Sequence, residues 1–285
     1  MSKTITSAVV PNTPVPPTQY ELPCDDGIPM ETERHKLQME LLIDPLYPWL
    51  AQREDGYVGG NMFLHFSAAQ IKNQDFRSRS RSVAYGESVA YGLGPDVFVV
   101  LGVPKVERLS WVVWEEGKGP DVIIELIYDS TANTDKTTKK VVYQDQVRVP
   151  EYFWYDPFNP EDFAGFSLHN GVYQPLNEDE QGRLISERLG LALVRWQGVH
   201  KNNVDTTWLR WATLDGIVLP TAEEIAVQAE EKAAQAQQQA AQAQQQAAQA
   251  KEEATQAQQQ LAQAQQRAEQ LAARLRAMGV DPEQV

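Results

Sequence analysis

The stretch PDVIIELIYDSTANTDKTTKK, residues 120–140, decides how the rest of the chain is read. Val122, Ile123, Ile124, Leu126 and Ile127 form an apolar run of strand length, bounded by a Pro before it and polar residues after it. Such a run reads as a strand buried on both faces. Glu125 stands in its middle. An ionised carboxylate taken out of water costs several kcal/mol unless it is paired or bound. Glu125 therefore needs a basic side chain, a solvent-exposed strand end or a metal ion. After Asp135 the pattern turns helical, with Lys139 and Tyr143 one turn apart.

Working outward, METERHKLQMELLI places Met39, Leu42, Ile43 and Leu46 at helical spacing, and Pro45 and Pro48 should end or kink this helix near Asp44. GYVGGNMFLHFS reads as a strand after a Gly-rich turn. GPDVFVVLGV, residues 94–103, reads as a second strand, Trp111 to Trp114 as a short third, and Glu116 to Pro120 as a turn. EYFWYDP, residues 151–157, is another strand, and FAGFSLHNGVYQPL is a hairpin around Asn170–Gly171. SERLGLALVRW and WLRWATLDG complete the globular part. Helix, three strands, helix, strand and hairpins imply an α/β (α+β) fold: a mixed sheet with helices packed on it.

The 285 residues suffice for one sizeable domain and an extension, and 42% hydrophobic content can fill a core. Cys24 is the only cysteine, which excludes an intrachain disulfide and any cysteine-based metal site. His35, His65, His169 and His200 lack metal-ligand spacing. No apolar h-region or membrane-length run is present, so a cytoplasmic protein is expected. The net charge of −14 weighs against broad electrostatic binding to nucleic acid, but leaves room for a local basic groove.

Residues 1–27 are Pro-rich and polar and are expected to be a poorly ordered arm. The domain is expected over 28–220. Within it, residues 78–93 carry the tandem repeat SVAYGE and SVAYGL after an Arg–Ser run, and read as an inserted surface loop. From 221 to 285 the chain changes character. Ala226, Ala233, Ala240, Ala247, Ala254, Leu261, Ala268 and Leu275 recur every seven residues, and a second series from Ala222 to Met278 alternates with them by three and four. This is an a/d heptad on a helix about 85 Å long. It implies homo-oligomerisation through residues 222–278, most stable at the end where Leu261, Leu271, Leu275 and Met278 gather; the alternative is a lone solvated helix, since alanine knobs bury little area. Gly279 is placed as its C-cap and Pro282 as a stop.

Asp96 opens one strand, Glu125 lies inside a later one, and Lys139 on the helix after it. Two carboxylates on neighbouring strands can share a divalent cation through hard oxygen ligands. That cation activates water and stabilises charge on a phosphoryl oxygen, and a lysine nearby neutralises the phosphate. The alternative is a structural ion pair between Glu125 and Lys139. No GxGxxG or GxxxxGK[ST] stretch supports nucleotide binding.

From ETERHKLQMELLI through GGNMFLHFS, NQDFR, GPDVFVVLGV, WVVWEEGKGPDVIIEL, TDKTTKKVVYQ, EYFWYDP and SERLGLAL, the chain resembles a restriction-endonuclease-like family (uma-two type) of the PD-(D/E)XK nuclease superfamily. That family occurs in many copies in some bacterial genomes. The resemblance implies a Mg²⁺- or Mn²⁺-dependent endonuclease, a hydrolase acting on DNA in defence or repair. It puts the family's PD aspartate on Asp96 and its next acid on Glu125, both as metal ligands. The superfamily's usual lysine position, two residues after the acid, is Ile127 here. In this family the lysine falls on the following helix in a D-x-x-x-K-x-x-x-Y pattern, matched by Asp135, Lys139 and Tyr143, with Lys140 adjacent. Glu33 matches an accessory acid, and His35 reads as an ordinary surface residue. Tyr128–Asp129 replaces the family's usual Ser-Pro, and the 78–93 insertion falls just before Asp96. The competing expectation is a non-catalytic assembly protein with a degenerate nuclease domain on a coiled coil.

Overall fold

The computed structural model describes residues 16–22, 32–67, 93–128, 132–201 and 204–279. The chain divides into two units, Met1–Ala222 and Glu223–Val285.

The first unit is built on a six-stranded mixed sheet in the order β1-β3-β5-β6-β7-β8. Its strands are β1 (Tyr57–Gly59), β3 (Val97–Val100), β5 (Val122–Leu126), β6 (Glu151–Tyr155), β7 (Phe163–His169) and β8 (Val172–Pro175). The apolar run quoted above is β5, and all five of its residues are buried. It pairs antiparallel with β3 and parallel with β6, which makes it central. A parallel neighbour requires a crossover. Here it is a helix, α4, wound as a π-helix over Thr134–Lys139, as an α-helix over Lys140–Val142 and as a π-helix again over Tyr143–Val147. The β7–β8 hairpin closes at Asn170 and Gly171, with φ of 52° and 82°. Two successive positive φ values belong to a type I′ turn, as the Asn–Gly pair indicates.

Both faces of the sheet are covered. On one side Leu42, Leu46, Val97, Ile124, Leu126, Phe153 and Trp211 pack together. These join the sheet to α1 (Glu33–Ile43), α2 (Leu46–Ala51) and a second sheet of β9 (Leu184–Ser186), β10 (Leu191–His200) and β11 (Val204–Thr213). On the other side Phe98, Ile123, Tyr143, Tyr152 and Phe166 pack with Leu64 and Trp111. These last two belong to the small parallel pair β2 (Leu64–His65) and β4 (Trp111–Val112).

Several expectations are corrected. The GYVGGNMFLHFS segment is two strands, β1 and β2, because the chain turns at Gly60 and Asn61. A Cβ on Gly60 would stand 2.4 Å from the carbonyl oxygen of Asp96, so only glycine lets the two backbones come this close. The third strand stops at Val112, and Val113–Glu116 forms a helical turn (α3) ended by Gly117 at φ 71°. Its last residue is held by a two-point pair between Arg108 and Glu116. Pro45 does separate two helices, but Pro48 lies inside α2, in its first turn, where a missing N–H costs nothing. Within the arm expected to be poorly ordered, residues 16–22 are bound to the domain. Trp114 Nε1 donates to the Pro17 carbonyl, Gln19 exchanges hydrogen bonds with Glu115 and Leu109, and Leu22 is buried. The insertion lies outside the described residues except for Leu93, whose carbonyl accepts from the Leu64 amide at 2.6 Å.

The second unit holds α5 (Ala222–Ala277), a helix of 56 residues. None of its residues is buried, and Leu261, Leu271 and Met278 are exposed. Gly279 follows at φ 81°, the left-handed C-terminal position expected of it. Among the described residues, no helix is long and apolar enough to cross a membrane.

Candidate active site

The β3–β5 register pairs Val97 with Ile124. One step further along, Asp96 stands opposite Glu125, so both carboxylates face the α4 side of the sheet. The Leu126 amide donates to Asp96 Oδ2 at 2.7 Å and locks its side chain across the strands. Glu125 is wholly buried, and each of its oxygens is engaged. Tyr143 OH donates to Oε1 at 2.7 Å, and Lys139 Nζ donates to Oε2 at 3.0 Å. Lys139 also lies 2.8 Å from Asp135 Oδ1, and Tyr152 OH donates to the Asp135 carbonyl at 2.9 Å.

The winding of α4 explains why three residues spaced by four share one line. Four residues overshoot one turn of an α-helix, which takes 3.6. They fall short of a turn in the wider π form. Alternating the two cancels the drift, and Asp135, Lys139 and Tyr143 converge on one cluster with Glu125.

The electrostatics are unbalanced. Three carboxylates, Asp96, Glu125 and Asp135, surround the single ammonium of Lys139. Burial pushes the Glu125 carboxyl well above its usual range, and the charges of Asp96 and Asp135 push the same way against Lys139 and the Tyr143 hydrogen bond. Burial also raises Asp96, against the pull of Lys139 and the Leu126 amide. Burial alone would lower Lys139, but the three carboxylates outweigh it and hold the amine above its usual range, so it stays charged. Burial and the neighbouring Glu125 charge keep the Tyr143 hydroxyl protonated, as a donor.

Among the described residues, no three or more His, Cys, Asp and Glu side chains form a metal cage. Mg²⁺ does not require one: it is typically held by one or two carboxylates, with water and substrate phosphate completing its shell. Asp96 and Glu125 fit this mode, both as hard oxygen donors and because a cation would offset the excess negative charge.

The structure thus brings Asp96, Glu125 and Lys139 together. Asp135 and Tyr143, read in the sequence as the ends of a pattern, belong to the same cluster. Lys140 points elsewhere, and Glu33 is exposed at the start of α1. Ile127 is 1% exposed, an apolar wall where a lysine would have no water. Asp129 lies outside the described residues. His35 is not a surface residue. It is 4% exposed, its Nε2–H donates to the Ile127 carbonyl at 3.3 Å, and its Nδ1 accepts from Thr32 Oγ1 at 2.8 Å. Its ring packs against Tyr128 and Phe158, tying α1 to the chain just beyond β5.

The mixed sheet thus carries an aspartate at the start of one central strand, a glutamate inside the next and a lysine on the crossover helix. Residues 15–198 match the Uma2 family, described as "Putative restriction endonuclease", and the chain belongs to that family. Among solved structures it is similar to the crystal structure of a "putative nuclease belonging to DUF820" from Anabaena variabilis ATCC 29413. That likeness has a TM-score of 0.38 and 11% identity, over 56% of this chain and 76% of that one. No functionally curated protein matches the chain.

Proposed function

We propose that this protein is a metal-dependent endonuclease that hydrolyses DNA phosphodiester bonds. The observation that carries this reading is the surplus of buried carboxylate over cation around Glu125. A structural ion pair needs one partner per charge, whereas here three carboxylates share one ammonium, a shortfall that a bound cation would make good. Asp96 and Glu125 would hold Mg²⁺ or Mn²⁺. When bound, such an ion lowers the pKa of water and stabilises charge developing on a phosphoryl oxygen. The chain's own groups prepare the site. Tyr143 and Lys139 fix the Glu125 carboxylate from both sides, the Leu126 amide fixes Asp96, and Lys139 supplies the charge that meets a phosphate.

The test is cleavage of plasmid and single-stranded DNA by the full chain with Mg²⁺, Mn²⁺ or EDTA, beside Glu125→Gln, with melting curves under the same conditions. Metal-dependent cleavage lost in the variant is the expected result. A second reading, a non-catalytic domain carried on a self-associating helix, draws on the engagement of Lys139 by both Glu125 and Asp135. That reading stands if no DNA is cut and no metal shifts the melting curve.

The tail belongs to either reading. Its apolar seam is exposed along α5, and we propose that a second copy covers it, in a cytoplasmic homo-oligomer. A chain ending at Pro220 is expected to keep its fold and sediment as a smaller species. A full-length chain monomeric at tens of micromolar would remove the proposal.

A further inference from the structure

The outer side of α4 carries a feature that the carboxylate cluster does not use. Trp154 pairs with Glu125 across β5 and β6 and therefore points from the same face, one strand spacing away, about 4.8 Å. Two lysines sit on it. Lys136 Nζ lies 5.5 Å and Lys140 Nζ 5.6 Å from its ring centroid, and Lys140 is also 3.4 Å from that of Phe166. Their positions in the chain flank that of Lys139, one turn apart. Lys136 pairs with Asp162, which also accepts from Trp154 Nε1. Among the described residues no carboxylate forms an ion pair with Lys140, and burial lowers its pKa. Aromatic faces attract a cation but leave its outer side open. In a chain of net charge −14, two ammonium groups seated on one aromatic platform, one of them paired with Asp162, gather positive charge beside the catalytic candidate.

We infer that Lys136 and Lys140, seated on Trp154 and Phe166, grip the backbone phosphates of a nucleic-acid strand that passes the part-exposed Lys139 beside Glu125. This rests on the nuclease reading above and adds to it the path of the strand. The platform confines the positive charge to one side of the site. The strand is therefore held by its backbone, with no base edge read by these two residues. Lys140 contributes more than Lys136, whose charge is partly spent on Asp162.

The experiment measures binding of a labelled oligonucleotide, single-stranded and duplex, to the full chain carrying Glu125→Gln, as a function of KCl. Adding Lys140→Gln should weaken binding severalfold at low salt. It should also flatten the slope of log K against log salt by about 0.7 on single strands or about 0.9 on duplex, the loss of one phosphate contact. Lys136→Gln should flatten it less, and Lys140→Arg should restore it. An unchanged slope in Lys140→Gln overturns the inference. So does an equal loss in Lys140→Arg, which would indicate packing in place of charge. If wild type cuts DNA while the slope is unmoved, the nuclease reading survives and the strand path falls. If wild type neither binds nor cuts nucleic acid, both fall.

Discussion

Two acidic residues four positions apart, Asp121 and Glu125, meet burial in opposite ways. Asp121 just precedes β5 and is 1% exposed. Lys118 and Arg188 reach its two oxygens at 2.7 and 2.6 Å, and the Leu101 amide adds a third donor at 2.8 Å. Burial pushes its pKa up, but the Leu101 amide, Lys118 and Arg188 together bring it below the usual value. Glu125 is as deeply buried, shares its lysine with Asp135, faces Asp96, and has its pKa pushed up. One carboxylate has two cations, while three carboxylates share one. Burial alone does not mark a candidate site. What distinguishes Glu125 from Asp121 is that it shares one ammonium with two other carboxylates, so its charged form is disfavoured.

The largest break in this comparison should come from activity. Glu125→Gln is expected to lower metal-dependent cleavage at least about a thousandfold, about 4 kcal/mol of barrier. Its stability without metal should equal or exceed that of wild type, because the variant relieves repulsion. Urea unfolding in EDTA checks the second half, and a loss of several kcal/mol there would make Glu125 a structural ion-pair partner like Asp121. Asp121→Asn should instead cost about 2 kcal/mol and leave cleavage intact. Breaking a buried pair costs about 3–5 kcal/mol when a buried charge is stranded. Here the stranded Lys118 and Arg188 are part-exposed, at 36% and 48%, and water takes up much of the difference.

A smaller effect is expected from metal. Mg²⁺ at ten times its Kd should stabilise wild type by about 1.4 kcal/mol by mass action, read as a rise in Tm, and should not do so for Glu125→Gln. Asp121→Asn should keep the full rise. Smallest should be the effects on pH dependence, which have opposite signs. A depressed Asp121 binds its proton less readily folded than unfolded. Its stabilisation is present above the ordinary carboxylate value, near 3.8, and is lost as pH falls through the lower folded value. Glu125 is raised, so in metal-free protein it removes stability as pH climbs from about 4.5 through its folded value. Stability against pH should therefore lose part of its acid limb in Asp121→Asn and part of its decline above pH 4.5 in Glu125→Gln.

Much of the site was legible because it depends on period and register. A short apolar run bounded by Pro and polar residues reads as a buried strand, and residues spaced by four on the next helix share a face, which places Glu125 and Lys139. Asp96 as their partner comes from the family resemblance, because an aspartate after a proline otherwise reads as a turn residue. The balance of charge was not legible. Arg188 reaches Asp121 from a turn 67 positions away, and no local pattern reports such a contact. The docking of residues 16–22 was missed for a related reason. Pro and polar residues suggest an arm with no core of its own, yet Trp114 and Leu109 offer it hydrogen bonds from the domain. His35 looked like a surface residue because its burial is imposed by Tyr128 and Phe158, which lie far along the chain. The platform under Lys136 and Lys140 required β6 to lie beside β5, which only tertiary pairing supplies.

The mixed winding of α4 has a consequence for how such a site can change. Each residue added to or removed from an α-helix turns everything beyond it by about 100°. A π stretch is a place where the chain has absorbed extra length without that rotation spreading along the helix. Within Thr134–Lys139 or Tyr143–Val147, a one-residue deletion can be absorbed by tightening the wide turn, leaving the sheet and its carboxylates in place. A deletion that is not absorbed there turns every residue beyond it by about 100° and changes which side chain stands opposite Glu125. In this helix the number of residues, as much as their identity, decides whether a lysine faces the acid.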